Sequence, residues 1–351
     1  MVGSELLYAP VYGAIWKLAG KLGRQIPLAF YCPEEIDLLC FEPVARYLPR
    51  LVYLSGDRSI QAALTRMGLP NRNALSFPQA LIMSRHALHR FPCRNIISIG
   101  MRHGPYHFKR MTKAENYNRF GLYLFSSRAD LEAARELGVK VGKAVGFPKL
   151  DPAFDGSITE PQLLAQKKLW GIDPSKPTLL FTSTWDGSGM SAIGIWLPRL
   201  REIIPRWNVL VTLHPWVSAS YRKALNRMRG VNVVKQVDIL KAMLCADVCV
   251  GDQSSILAEC CALDKGMVTF RTPPAARSLA QIDELLERIS LRISGFDELE
   301  PACERFLSDP SLLSQQRAEA NRLMFDTLDG QAGKRAAAAI LDYLREKGFQ
   351  C

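Results

Sequence analysis

The sequence has no run of the roughly 18 uninterrupted apolar residues that a membrane span requires, so no transmembrane helix is expected. It has no Gly-x-Gly-x-x-Gly and no Gly-x-x-x-x-Gly-Lys-[Ser/Thr], which argues against a dinucleotide-dependent dehydrogenase and a P-loop nucleotidase. None of its 9 cysteines forms a Cys-x-x-Cys pair, and no cluster of ligands has zinc spacing. Cys260 and Cys261 adjoin inside an apolar run, so the cysteines read as reduced, buried thiols of a cytosolic protein. Residues 1–10 lack the basic stretch that opens a secretory signal. Apolar residues make up 48% and charged residues 23% of the 351, which excludes disorder and coiled coil for most of the chain.

Acidic residues are also short: 34 Asp and Glu face 45 Lys and Arg, a net charge of +11. Such a protein is drawn to polyanions, whether nucleic acid, anionic lipid or phosphorylated substrates. Residues 11–26 read as a helix, with Ile15, Leu18, Ala19 and Leu22 at i, i+3, i+4, i+7, Trp16 at one edge, and Lys17, Lys21 and Arg24 on the other side. This is either a packed surface helix or a basic amphipathic helix lying in a membrane interface with Trp16 at the headgroups. A second basic run, Arg85, Arg90, Arg94, Arg102, Lys109, Arg110 and Lys113, is interleaved with Phe91, Tyr106 and Phe108. No nucleic-acid motif accompanies it, so no nucleic-acid partner is expected.

Strand-like runs at 28–31, 50–54, 95–99, 122–125 and 144–145 alternate with stretches, such as 59–67 and 128–137, long enough for crossover helices. Gly146-Phe-Pro-Lys-Leu-Asp151 interrupts the pattern, and a polar stretch with one helix at 161–170 follows. A second series has strands at 178–182, 207–213, 231–234, 248–250 and 266–270, and helices near 197–204, 221–228, 239–244, 254–263 and 334–347. Strands alternating with helices imply parallel sheets and an α/β fold. Two Rossmann-like halves joined by a Pro-containing link describe the GT-B architecture, two Rossmann-like domains facing each other across a cleft. The expected domains are 1–152 and 153–351, the last helix being able to pack back on the first domain.

Three constellations carry candidate chemistry. His103 and Gly104 follow a strand, among Arg102, Lys109 and Arg110. A histidine there can take a proton from an attacking hydroxyl or donate to a phosphate. The strand Val209-Leu-Val-Thr-Leu ends in His214-Pro215, which puts a second imidazole at a sheet edge. The strand Val248-Cys-Val runs through Gly251, Asp252 and Gln253 into Ser254 and Ser255, and Glu259 lies one turn into the next helix. Hydroxyls at a helix start either cap it or meet a phosphate. Glu259 is either a ribose or hydroxyl ligand or a solvated helix residue.

In this order the motifs resemble the CDP-glycerol glycerophosphotransferase family, the teichoic-acid primases and polymerases of GT-B type. Arg102-His103-Gly104-Pro105-Tyr106-His107-Phe108-Lys109 is similar to the family's WHGTPLK, and Gly146-Phe147-Pro148-Lys149-Leu150-Asp151 to its G-x-P-R-x-D. Thr212-Leu213-His214-Pro215 matches K-x-H-P, and Asp252-Gln253-Ser254-Ser255 matches D-Y-S-S. The family's APTWR-like segment stands here as Thr182-Ser183-Thr184-Trp185-Asp186, with an acid in place of an arginine. Gly251 to Arg271 is also similar to the hydrolysing UDP-N-acetylglucosamine 2-epimerases, whose N-terminal GTRPE signature is absent.

The resemblance implies transfer of glycerol phosphate, or a related alditol phosphate, from a CDP-activated donor to a hydroxyl of a lipid-linked glycan in cell-envelope polymer synthesis. His103 and His214 are the expected catalytic residues. Asp252, Ser254, Ser255 and Glu259 are expected at the donor nucleotide and pyrophosphate, and Arg102, Gly104 and Lys109 at the acceptor or a phosphate. No metal and no cofactor are expected. The N-terminal domain is expected on the acceptor side, facing an anionic membrane, and the C-terminal domain on the CDP-donor side. The enzyme would be cytoplasmic and peripheral on the inner face of the cell membrane. A GT-B nucleotide-sugar glycosyltransferase or 2-epimerase is the alternative enzyme. A non-catalytic polyanion-binding protein, indifferent to His103→Ala, is the alternative outside enzymes.

Overall fold

A computed structural model describes residues 2–105, 108, 111–275 and 280–349. The chain forms two compact units. The first holds Met1–His103, Met111–Asp151 and Leu328–Cys351, and the second Gly104–Arg110 and Pro152–Thr327.

The first unit carries a seven-stranded sheet of β1 (Ile26–Tyr31), β2 (Leu51–Ser55), β3 (Asn71–Asn73), β4 (Pro78–Met83), β5 (Ile97–Met101), β6 (Leu122–Phe125) and β7 (Lys143–Ala144). Every pairing is parallel and the order is β3-β2-β1-β4-β5-β6-β7. The second unit carries β8 (Thr178–Thr182), β9 (Asn208–Thr212), β10 (Val231–Val234), β11 (Val248–Gly251), β12 (Gly266–Phe270) and β13 (Leu291–Ile293). These are again all parallel, in the order β10-β9-β8-β11-β12-β13. In both sheets the chain first winds outward one way, then returns to the centre and winds the other way. The reversal falls between β1 and β4 in one sheet and between β8 and β11 in the other. In open α/β sheets the crevice at such a switch point, beyond the carboxyl ends of the strands, is where ligands bind.

Strands covered on both faces lose the alternation that marks a half-buried strand. This is why β4, at the centre of its sheet, has no signature in the sequence. Ala80, Leu81, Ile82 and Met83 are all fully buried, and the strand opens on Pro78. Proline is tolerated at the first residue of a strand, where the ladder needs no N–H from it. The helix α2 (Glu35–Ala45) was likewise not expected; it buries Asp37, Leu38, Cys40, Phe41, Pro43 and Val44.

The last helix, Ala332–Glu346, belongs to the first unit, where Ala336, Ala337, Ile340 and Leu344 share a core with Phe41 and Val44. Its start is held by Asp151, whose carboxylate accepts from the amides of Ala332 (3.1 Å) and Gly333 (2.6 Å). Gly333 is required by proximity, since a Cβ there would stand 2.4 Å from the Pro43 carbonyl oxygen. Gly146 is required twice, by its φ of +93° and by Ala332, 2.9 Å from where its Cβ would be. The Gly146-to-Asp151 motif is thus the dock for this helix.

The first helix, α1, runs Val2–Lys21, nearer the N-terminus than the expected 11–26. Its phase also differs. Tyr12 and Ala19 face the core, and Trp16 turns inward to donate Nε1–H to the Pro78 carbonyl at 2.7 Å, so Trp16 does not sit at an interface. Tyr8, Val11, Ile15, Leu18 and, just past the helix, Leu22 are exposed. The eight described cysteines are all free thiols and seven are buried.

Candidate functional site

In the first unit the carboxyl ends of β1, β4 and β5 converge on one cluster. His103 follows β5, half-buried, and its Nδ1 lies 2.9 Å from the Ser84 carbonyl oxygen just past β4. A carbonyl only accepts, so Nδ1 carries a proton, and in the neutral ring the lone pair is then on Nε2. Ser84 is itself fixed. Its hydroxyl donates to Asp37 Oδ1 at 2.5 Å, and Arg85 Nε donates to both Asp37 oxygens at 3.0 Å. Arg85 reaches on to Glu34 at 2.9 Å, and the Glu34 amide donates to Asp37 Oδ2 at 3.1 Å. Burial pushes the Asp37 carboxyl up, while Arg85 and the Ser84 hydroxyl pull it down.

Arg102 is turned into the interior. It is 8% exposed and forks onto Asp130, Nε to Oδ2 at 3.0 Å and the terminal nitrogen to Oδ1 at 2.5 Å, over the rings of Tyr117 and Phe125. Burial opposes its charge, yet the Asp130 carboxylate wins and holds the guanidinium above its ordinary value. Gly104 is buried, and Lys109 lies outside the described residues.

In the second unit the ends of β8, β9 and β11 converge in the same way. His214 follows β9, and its Nδ1 accepts from the Trp216 amide at 3.1 Å. An amide only donates, so the neutral His214 ring carries its proton on Nε2. As neutral rings the two histidines are therefore opposite tautomers, each set by a backbone group: the proton is on Nδ1 of His103 and on Nε2 of His214. Trp216, 60% exposed, packs edge-on against Trp185 and His214 at centroid distances of 5.6 and 5.4 Å.

Asp252 is wholly buried and serves the loop after β8. It accepts from the Ser183 hydroxyl, the Thr184 amide (3.0 Å) and the Ala192 amide (2.9 Å). Burial raises its carboxyl, and the Ser183 and amide donors offset part of that. Ser254 Oγ lies 3.1 Å from Thr182 Oγ1, tying the ends of β8 and β11 together, while Ser255 is half-buried beside it. Gln253 is turned to Asp283 at 3.2 Å. Glu259, in the seven-residue helix Ile256–Ala262, is buried, not solvated. Asp186, at the position of the family's arginine, accepts from the amide of Ser218, which lies past the end of β9, at 2.8 Å.

The structure thus brings His103 to one switch point, and Asp252, Ser254 and Ser255 to the other with His214 on the strand beside it. It turns Arg102 away from both. Asp37, Ser84, Ser183 and Trp216 were not singled out in the sequence. The first lies in an unread helix and the second just past an unread strand, and only their contacts mark them.

Residues 109–276 match the family model of CDP-glycerol:poly(glycerophosphate) glycerophosphotransferase. No curated protein matches the chain. Among solved structures, the wall teichoic acid polymerase TagF is similar at 13% identity, covering 97% of this chain and 95% of that one, with a TM-score of 0.67. A putative UDP-N-acetylglucosamine 2-epimerase from Listeria monocytogenes is 11% identical over 92% of this chain and 97% of that one, TM-score 0.57. Anabaena HepE in complex with UDP-glucose is 12% identical over 89% and 99%, TM-score 0.54. Residues 109–276 thus resemble the CDP-glycerol:poly(glycerophosphate) glycerophosphotransferases, and the chain as a whole has the two-sheet α/β fold of TagF.

Proposed function

We propose that the enzyme moves glycerol phosphate, or a related alditol phosphate, from a CDP-activated donor to a hydroxyl of a lipid-linked glycan at the inner face of the cell membrane. The residues at the ends of β8, β9 and β11 hold the donor. His214 gives its Nε2–H to the pyrophosphate, with the Ser255 hydroxyl beside it. His103 Nε2 takes the proton of the acceptor hydroxyl, whose oxygen attacks the distal phosphorus in line. The bond from that phosphorus to the CMP oxygen breaks, and CMP leaves as the anion that the His214 N–H stabilises. Such transfer is mostly positioning and electrostatics. Asp252 and Ser254 act on the loops and not on the donor, and Arg102 supports the strand end that carries His103.

The observation that carries this reading is the pair of opposite imidazole tautomers at the carboxyl ends of the two sheets. TagF, the structural relative, has been solved with CDPG. Release of CMP from a panel of CDP-glycerol, CDP-ribitol and UDP-sugars tests it. CMP release from a CDP-alditol, lost in His103→Ala by about 10²–10⁴ in kcat, is the expected result. Turnover of a UDP-sugar alone would transfer the enzyme to the glycosyltransferase or epimerase class.

A further inference from the structure

We propose that Asp37 is a positioning residue for His103, acting through Ser84 to hold the imidazole in its Nδ1–H tautomer. This inference rests on the reading of His103 as the base.

Asp37 touches no part of His103. It is the third residue of α2, 0% exposed, yet it accepts from three separate partners: the Glu34 amide, the Ser84 hydroxyl and Arg85 Nε. Two of those partners are the consecutive residues that follow β4. Of these bonds only the one from the Glu34 amide belongs to the helix start, where Asp37 is the N3 member of a capping box. The two bonds to Ser84 and Arg85 therefore serve β4's end rather than the helix. What they fix is the direction of the Ser84 carbonyl, which is the group that holds His103 Nδ1.

The same helix reaches His103 a second time. Cys40, one turn beyond Asp37, lies with its Sγ 3.7 Å from the His103 carbonyl oxygen. So α2 holds the residue at its backbone through Cys40, and at its ring through Asp37 and Ser84. Without this restraint the Ser84 carbonyl is free to swing, and a neutral imidazole would populate both tautomers. Only one of them places the lone pair on Nε2. Burying a carboxylate is costly; here the cost falls on a group whose bonds lead to the base.

The test is a double-mutant cycle on CMP release with CDP-glycerol. Asp37→Asn and Ser84→Ala are each expected to lower kcat about 10- to 100-fold, the scale of a misplaced reacting group, with the donor KM within about twofold. Neither is expected to lower the residual activity of His103→Ala further. The imidazole ¹⁵N resonances that vanish in His103→Ala report the tautomer directly. They are expected at Nδ1–H positions in the wild type and moved toward the two-tautomer average in Asp37→Asn. Should Asp37→Asn fail to fold, Ser84→Ala carries the same cycle. An unchanged kcat, an equal further loss in the His103→Ala background, or unmoved ring resonances would overturn the positioning role. Full activity of His103→Ala alone would instead overturn the base.

Discussion

At the scale of single residues, the backbone decides which nitrogen of a neutral imidazole carries the proton. On the proposed reading, changing His214 removes the N–H given to the pyrophosphate, so His214→Ala is expected to weaken CDP binding about 10- to 100-fold, the worth of one charge-assisted hydrogen bond. Calorimetry with CDP checks this, and His103→Ala, which changes the proposed base, is the control expected to bind CDP normally. Arg102 behaves differently. Asp130 is wholly buried, so Arg102→Met leaves a carboxylate in the interior without its partner. The expected loss is about 3–5 kcal/mol of stability, read as a lowered melting temperature, while the folded fraction keeps its CDP affinity. A phosphate-binding role for Arg102 predicts the reverse pattern. Both histidines were legible in the sequence because each stands two residues past the end of an apolar strand. Arg102 was legible only as a charge, since its partner lies 28 residues away on another element.

At the scale of elements, legibility followed burial. β6, β8, β10 and β12 fall where their apolar runs end, because turn residues bound them on both sides. β4 and α2 are buried on nearly every side, so neither the period of 2 nor that of 3.6 is visible in them; Pro43 inside α2 further masks the helix. Asp37 went unread with the helix that carries it. The motif from Gly146 to Asp151 was legible as a motif, but its work was not, since the helix it docks starts 181 residues beyond Asp151. That dock gives a sharp expectation. Gly333→Ala puts a methyl group against the Pro43 carbonyl, so α2 and the last helix must part. A loss of about 1–3 kcal/mol is expected from such overpacking. Thermal melting measures it, and a surface control such as Gly13→Ala, where a Cβ meets nothing within 4 Å, is expected to melt no earlier than the wild type.

At the scale of the whole molecule, the net charge of +11 has to be divided between cations that are free and cations that are spent. Arg85 and Arg102 are paired with Asp37 and Asp130, and Phe91 and Phe108 are buried, so the run from 85 to 113 contributes less to the surface than its composition suggests. The helix α1 contributes more. Lys17, Lys21 and Arg24 are exposed beside the stripe of Val11, Ile15, Leu18 and Leu22, whose outer residues are 55–56% exposed at Leu18 and Leu22. Among the described residues no helix is long and apolar enough to cross a membrane. A cationic flank beside an apolar stripe is the pattern of a helix lying in an anionic interface. A second copy docking on that stripe would bring like charges together. Each free Lys or Arg near an anionic surface adds about 1 kcal/mol, and salt screens this part but not the apolar part. Vesicles containing phosphatidylserine are therefore expected to float the protein at low salt and less of it at physiological salt. Changing Lys17, Lys21 and Arg24 together to Glu removes the salt-sensitive part. Changing Leu18 and Leu22 to Glu removes binding at both salts while CMP release from a soluble acceptor analogue continues. Equal flotation of all three proteins would move the contact off α1, and no flotation of the wild type at either salt would remove the membrane from the proposed function.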